Sequence, residues 1–180
     1  MKQNKSVLIM FLSLILLFFF LSGELFAYKK SDLKKLRDTK KCIKCDLSGA
    51  NLQFTNLSGA NLQFTNLSGA NLNKANLNKA ILSETNLNKA NLRRSDLTGA
   101  DLTGANLNKA KLTGAYLRGA NLTGTNLKNA NLTEIIIDKK AISTNKFVEK
   151  LVGVKPVVVV EKPSLVKVET GVGKRKVEKQ

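Results

Sequence analysis

The sequence predicts an all-β solenoid, because a leucine returns at every fifth position through the middle half of a 180-residue chain. The series runs without exception from Leu47 to Leu132 and contains 18 leucines. The residue two before each leucine is small, and the residue directly before it is Asn or Asp in 15 of the 18 repeats. An internal repeat of this regularity determines the fold. The exceptions directly before a leucine are Ile81, Lys111 and Tyr116.

A period of five fits neither a helix nor a flat strand. On a helix at about 100° per residue, successive leucines would step by about 140° and scatter around the axis. On a strand, an odd spacing would send alternate leucines to opposite faces. The leucines can share one core only if the chain turns once per repeat. The residue two before each leucine then points inward as well, so it must be small.

Tandem A-(N/D)-L-x-x units resemble those of the pentapeptide-repeat family, and the match covers residues 45–134. The resemblance implies a right-handed, quadrilateral (four-sided) β-helix with four repeats per coil, so that 18 repeats make about 4.5 coils. At a strand spacing of about 4.8 Å the rod would be about 20 Å long. Residues 20 apart would then stack as ladders between coils. The first ladder contains Asp46, Asn66, Asn86, Asn106 and Asn126, and the next contains Asn51, Asn71, Asn91, Lys111 and Asn131.

The first 27 residues have the pattern of a secretory signal peptide. Lys2 and Lys5 precede an apolar run over residues 7–21, and the small residue Ala27 follows. The run is short for a membrane span, which needs about 20 apolar residues. We expect export to the periplasm or the cell exterior, with cleavage after Ala27 or, alternatively, after Gly23. The other interpretation is a protein anchored in the membrane by the uncleaved residues 7–21.

The segment before the repeats, residues 28–44, is predicted to cap the solenoid. An open end would expose unpaired backbone and apolar side chains. Ser31 would cap a short helix, and Leu33 and Leu36 would share its apolar face.

The segment after the repeats, residues 135–153, is predicted to cap the other end. Three isoleucines there break the repeat, and Thr144 or Asn145 would cap a second helix that stops at Gly153. Its apolar face would carry Phe147, Val148, Leu151 and Val152. Residues 154–180 are predicted to form a basic flexible tail, with an edge strand over residues 157–160 as the alternative.

Few residues are suited to catalysis. His is absent, which excludes Ser-His-Asp and Cys-His catalysis and most zinc and haem sites. Cys42 and Cys45 form a C-x-x-C pair, but a zinc site needs a second pair and thioredoxin-like chemistry needs a βαβ context. Both cysteines fall on inward positions, so reduced core fillers are the preferred interpretation. A structural disulfide and a catalytic redox pair are the alternatives. We expect no cofactor and no metal.

Positive charge is the main indication of a partner. The chain has 30 Lys and Arg against 13 Asp and Glu, a net charge of +17, and most of the excess lies outside the repeats. Within the repeats, Lys89 would stack with Lys109 on one face and Lys74 with Arg94 on another, and Arg93 lies beside Arg94. Such side chains attract nucleic acid, anionic lipid or a cell-wall polymer. A basic surface can also serve solubility alone.

Two exposed aromatic residues are the other candidates for a partner-binding surface. Phe54 and Phe64 stand two residues after their leucines and would point outward on opposite faces. An exposed aromatic side chain can anchor a protein partner, although single exposed apolar residues are also normal. A homodimer could form through these residues or end to end.

These features favour a non-enzymatic, exported scaffold that associates with anionic envelope components or with a protein partner. The family resemblance implies an alternative, because some pentapeptide-repeat proteins mimic DNA and modulate DNA gyrase, a topoisomerase. A DNA mimic is expected to be acidic and cytoplasmic, whereas this chain is basic and has a predicted export signal. A non-specific nucleic-acid binder, whose affinity would fall steeply with salt, and a thiol-active enzyme are the remaining alternatives. No small-molecule substrate is expected. The ligand and the oligomeric state stay open.

Overall fold

The computed structural model describes residues 28–146, 148 and 158–159. Its helices and strands are, in chain order, α1 (Lys30–Thr39), β1 (Ile136–Ile137), α2 (Lys139–Ser143) and β2 (Val158–Val159). Between α1 and β1 the chain forms coils. The predicted signal peptide, with its alternative as an anchor over residues 7–21, lies outside the described residues. Among the residues that are described, no helix has the length and apolar character needed to cross a membrane.

Parallel bridges between residues 20 apart hold the coils together, so one coil takes four repeats. They fall in four columns, begin with the pair Lys41 and Asn61, and end with the pair Tyr116 and Ile136. The coils therefore extend slightly beyond the predicted range of residues 45–134.

Backbone hydrogen bonds connect each coil to both of its neighbours. The N–H of Leu67 donates to the carbonyl of Asn86 in the next coil at 2.8 Å. The N–H of Asn66 donates to the carbonyl of Cys45 in the previous coil at 2.9 Å. This alternation repeats along the solenoid and is the pattern of a parallel sheet.

The core is a stack of leucines flanked by small residues. All 18 repeat leucines are buried, as the period predicts, and none is more than 4% exposed. The small residues two before them are buried as well, except for the partly buried Thr55 and Ala130 near the two ends. The hydroxyl group of the buried Thr85 donates to the carbonyl of Leu62 at 2.8 Å, so its burial leaves no unpaired donor.

Each corner of a coil is a tight turn that begins at a leucine. The N–H of Ala50, for example, donates to the carbonyl of Leu47 at 3.0 Å, and the third residue of this turn, Gly49, has a φ of +67°. Positive φ at the third residue alone is the pattern of a type II turn. This explains the recurrent glycine two residues after the leucine. Eleven non-glycine residues at this place in a turn also have a positive φ, including Phe54 and Arg94.

The Asn or Asp before each leucine makes a local hydrogen bond that the period alone does not reveal. In all 15 cases its Oδ1 accepts the N–H two residues later, as Asn66 does from Ser68 at 3.2 Å. The first predicted ladder is confirmed, with Nδ2 to Oδ1 distances of 3.1–3.5 Å from Asp46 to Asn126. In the second, Asn91 donates to Asn71 at 3.1 Å, and Lys111 takes the next place.

Helix α1 lies at the N-terminal end of the coils and buries Leu33 and Leu36, as predicted. The prediction that Ser31 caps it is wrong. The N-cap residue is Lys29, which makes no side-chain capping bond, and Ser31 lies in the first turn. Asp32 in that turn has the connecting role instead, because its Oδ2 accepts the N–H of Asp46 in the first coil at 2.8 Å.

The prediction that the three isoleucines break the repeat is also wrong. Ile135 takes the small position and Ile137 takes the leucine position, and both are fully buried. Ile136 between them joins the column of bridges below Tyr116. These side chains are apolar and suit an extended, buried backbone, so the coil continues without the leucine.

Helix α2 begins after this extra repeat. Its N-cap is Asp138, whose Oδ1 accepts the N–H of Ala141 at 2.9 Å, and its C-cap is Thr144. Asn145 donates through Nδ2 to the carbonyls of Leu122 and Thr125 at 3.0 and 3.1 Å. The chain is helical again at Lys146 and Val148, and Val148 is buried. The remainder of the predicted second helix, with Phe147, Leu151 and Val152, lies outside the described residues.

Two described residues of the tail pair with the end of the coils. Val158 and Val159 of β2 pair in parallel with Ile136 and Ile137 of β1. This is the edge strand given above as the alternative to a flexible tail. The rest of residues 154–180 lies outside the described residues.

Candidate anion-binding surface

One side of the solenoid collects basic side chains. The column of bridges from Asn71 through Asn91 to Lys111 runs along this side. The turns at one of its edges carry Lys74, Arg93 and Arg94, and the turns at the other edge carry Lys89 and Lys109, as the 20-residue period requires. We call these six cations the basic face: Lys74, Lys89, Arg93, Arg94, Lys109 and Lys111.

A shallow depression of about 460 Å³ lies within the basic face. It is lined by Asn73, Lys74, Arg93, Arg94 and Thr113. The backbone fixes the lining residues, because Lys74 N–H donates to the carbonyl of Arg93 at 2.9 Å and Arg94 N–H donates to that of Thr113 at 3.0 Å. The depression therefore combines three cations with two neutral polar side chains and contains no carboxylate.

Within the part of the chain that the structure describes, no carboxylate forms an ion pair with the basic face. Glu134 stands two coils beyond Arg94 in the same column of turns and makes no such pair. Among the described residues, Lys34 and Asp38 form a salt bridge of 2.6 Å on the exposed surface of α1. The hydrogen bond that Lys34 Nζ donates to Asp38, together with the negative charge of Asp38, raises the pKa of Lys34. That pair follows the i,i+4 spacing of a helix and lies away from the repeats. The six cations of the basic face stay available to an external anion.

Both predicted aromatic residues point outward, and a lysine ammonium group lies over the ring of each. Phe54 is 64% exposed and Phe64 is 54% exposed. Lys74 Nζ lies 5.4 Å from the ring centroid of Phe54, and Lys44 Nζ lies 6.0 Å from that of Phe64. Contacts of this kind are attractive and cover part of each ring. The sequence did not single out Lys44, although its 20-residue spacing from Phe64 was the available signal.

Lys111 is the basic-face residue that sequence reasoning placed only in a ladder. It stands where the repeat has Asn, and it bridges Asn91 and Asn131. The turn before Lys111 carries Lys109, and the turn after it belongs to the column of Lys74 and Arg94. This place was the signal that Lys111 belongs with the other cations.

Cys42 and Cys45 are joined by a disulfide with an S–S distance of 2.06 Å. Their inward positions agree with the prediction, since they are 0% and 5% exposed. The preferred interpretation as reduced fillers does not describe the structure. The described residues contain no free thiol and no cluster of side chains suited to a metal ion.

The repeats of this chain match the model of a known protein family. The model for pentapeptide repeats matches residues 45–83, 82–114 and 100–136, in eight copies. These ranges together cover the bridged coils almost completely. Among curated proteins, none is significantly similar to the chain.

Several solved structures are similar. A pentapeptide repeat protein from the Arabidopsis thaliana thylakoid lumen is 34% identical with a TM-score of 0.50, over 53% of this chain and 64% of that one. HetL, a pentapeptide repeat protein involved in heterocyst differentiation regulation in the cyanobacterium Nostoc sp. strain PCC 7120, is 36% identical with a TM-score of 0.30, over 54% and 55%. QnrB1, a plasmid-mediated fluoroquinolone resistance protein, is 20% identical with a TM-score of 0.31, over 67% and 80%. The chain thus spans less than two thirds of the length of the Arabidopsis protein.

Proposed function

Because the chain belongs to the pentapeptide-repeat family, we propose that it is an exported, non-enzymatic scaffold whose basic face binds an anionic partner. Membership implies a right-handed β-helix, and the 20-residue bridges fit four repeats per coil. On this proposal the repeats make about 4.5 coils, α1 and α2 cover the two ends, and the outer faces are free for binding.

The observation that carries the proposal is the basic face itself. Six cations lie on one side of the coils, and none of them forms an ion pair with a carboxylate of the described residues. Like charges placed together repel, so such a cluster is unfavourable until an anion neutralises it. Clustered positive charge also raises the local concentration of anionic partners and speeds their association.

The family does not by itself select a partner. HetL takes part in heterocyst differentiation and QnrB1 in fluoroquinolone resistance, so relatives have different roles. The topoisomerase alternative remains disfavoured by the net charge of +17, because a DNA mimic is expected to be acidic.

The test is the binding of a polyanion by the full chain. The probe is fluorescent dextran sulfate, and the readout is anisotropy at about 0.15 M salt. In one variant, Gln replaces the six cations of the basic face. In the control, Gln replaces six cations elsewhere: Lys34, Lys35, Lys40, Lys41, Lys79 and Arg118. Both variants lose the same net charge.

We expect the basic-face variant to bind at least about tenfold more weakly than the unmodified chain, and the control to change by less than about threefold. Equal losses in the two variants would show that net charge alone drives binding, and the proposal would then be wrong. Unchanged thermal unfolding in both variants shows that the exchanges leave the fold intact.

A further inference from the structure

We propose that the depression of the basic face is a phosphate-binding subsite, and that its ligand is a polyol-phosphate polymer, a chain of phosphodiesters without bases. The inference rests on the proposed function and names the ligand class. Its subsite residues are Asn73, Lys74, Arg93, Arg94 and Thr113, of which Asn73 and Thr113 come from the structure alone.

The two arginines of the depression are adjacent in one turn. Arg93 and Arg94 are the two consecutive turn residues of a single repeat, and in the described coils no other repeat has arginine at both. The fold does not require either of them, because Thr113 and Gly114 take their places one coil further along the same columns. Arg94 also holds the left-handed conformation, at φ +54°, which glycine adopts more readily.

The shape of the depression depends on Gly114. An added Cβ at Gly114 would come within 3.3 Å of Cγ of Arg94, so the Arg94 side chain lies close over a glycine backbone. The absence of a side chain at Gly114 leaves room for this position. Thr113 and Asn73 add a hydroxyl and an amide to the same depression. Guanidinium groups with neighbouring neutral donors are the groups that recognise phosphate oxygens.

Positive charge continues across the basic face beyond the depression. Lys111 interrupts the second asparagine ladder and replaces an amide with a cation on this side. Lys89 and Lys109 follow at the far edge of the same face. A single phosphate would contact only the depression, whereas a polymer with repeated phosphates can also reach Lys111 and the edge lysines.

The nearby aromatic residue favours a ligand without bases. Proteins that bind single-stranded nucleic acid combine a basic groove with aromatic rings on which bases stack. Phe54 is the one ring in the column of Lys74 and Arg94, and the ammonium group of Lys74 lies over it. A base would have to displace that contact in order to stack, and a polyol phosphate would not.

The experiment uses the full chain and a fluorescent glycerol-phosphate oligomer, with oligothymidylate and dextran sulfate as comparison ligands. One variant combines Arg93→Gln with Arg94→Gly. Glycine relieves the left-handed conformation, so weaker binding cannot be attributed to backbone strain. The matched control combines Lys79→Gln with Arg118→Gln, which removes two charges from a different side.

We expect the arginine variant to bind the glycerol-phosphate oligomer about tenfold more weakly and the control to bind it almost normally. In a second variant, Lys111→Asn restores the repeat and should lower affinity for long oligomers but not for inorganic phosphate. Tighter binding of oligothymidylate than of the glycerol-phosphate oligomer would overturn the inference in favour of nucleic acid.

Two results separate this inference from the proposed function. If dextran sulfate still needs the basic face but the arginine variant binds glycerol phosphate normally, the phosphate subsite is wrong and the scaffold proposal stands. If no ligand distinguishes the basic face from the control surface, both are wrong.

Discussion

Each place in the five-residue unit has its own physical requirement. The leucine and the small residue two before it fill the core, and the period alone predicts both. The Asn or Asp before the leucine is fixed by a bond from its Oδ1 to a backbone N–H, as at Asp96 and Thr98 (2.9 Å). The residue two after the leucine must accept positive φ. The last two requirements depend on backbone angles within the turn, which a spacing of leucines does not specify.

Removing a central leucine should open a cavity that the solenoid cannot close. Leu92 is fully buried between coils. We expect Leu92→Ala to lower the free energy of unfolding by about 2–5 kcal/mol, and Leu92→Met, which conserves volume, to cost less than about 1.5 kcal/mol. Urea unfolding followed by circular dichroism measures both. Equal effects of the two substitutions would contradict the packed core.

Glycines in the turns should resist substitution even where space is free. An added Cβ at Gly59 meets nothing within 4 Å, whereas one at Gly104 would lie 2.1 Å from Oε1 of Glu84. Both have a φ of +66°, so each alanine should cost about 1 kcal/mol from the left-handed conformation. Gly104→Ala should cost only slightly more, because the Glu84 carboxylate can rotate away. A neutral Gly59→Ala in the same unfolding assay would show that turn strain is absent.

At the scale of elements, helix α1 is held by contacts that its own sequence does not predict. Asp32 accepts the N–H of Asp46, and the backbone carbonyl of Asp32 lies 3.2 Å from Sγ of Cys42. The disulfide closes a loop beneath α1, where Leu33 and Leu36 are buried. The amphipathic pattern therefore predicted the helix but not the way in which it is attached.

Loss of the disulfide should loosen this end. Cys45→Ala suits the position, because Ala occupies it in 12 of the 18 repeats. We expect the variant to lose about 2 kcal/mol of stability, from the chain entropy of a short closed loop. In a reductant, the unmodified chain and the variant should unfold alike. Equal stability of the two in the absence of reductant would mean that the bridge contributes nothing.

The N-cap residue of α2, Asp138, should stabilise the other end of the coils. Asp138 accepts the N–H of Ala141 at 2.9 Å and also that of Gly119 at 3.0 Å, so one carboxylate connects the helix to the last coils. Asp138→Ala should cost about 1–2 kcal/mol, and Asp138→Asn, which keeps one acceptor oxygen, should cost less. Thermal unfolding compares the two. A neutral Asp138→Ala would show that neither bond contributes to stability.

At the scale of the whole molecule, the coils could be predicted from the sequence. The segments at their two ends could be predicted only in part. The register from Asp46 to Asn126 follows from a family resemblance and simple counting. Ile135 and Ile137 differ from the prediction because the repeat was defined by its leucine. Other buried apolar side chains can also fill the inward positions of a coil. The sequence predicted two stacked pairs of cations on different faces, Lys74 with Arg94 and Lys89 with Lys109. The bridges instead place the two pairs at the two edges of one face. Asn73 and Thr113 carry no charge and gave no signal.

The distribution of charge around the rod also appears only at this scale. Lys74 and Arg94 lie on one side, with Glu134 two coils beyond Arg94. Glu84 and Asp101 lie half a coil away, on the side of Phe64 and Lys44. The net positive charge of the repeats is therefore not spread evenly. A polyanion that meets the rod is attracted to one side and repelled by part of the other, which favours one orientation of the complex.

The predicted export of the chain has a direct test in the mass of the protein from its own host. An exported protein should be recovered outside the cytoplasm as a species that starts near Tyr28, because the preceding residues have the pattern of a cleaved signal peptide. The Cys42–Cys45 bridge should lower that mass by two hydrogens relative to a reduced sample, since an oxidising compartment preserves the disulfide. Full-length chain in the membrane fraction would make residues 7–21 an anchor and the rod a tethered module. Full-length chain in the cytoplasm would contradict export and return nucleic acid to the list of partners for the basic face.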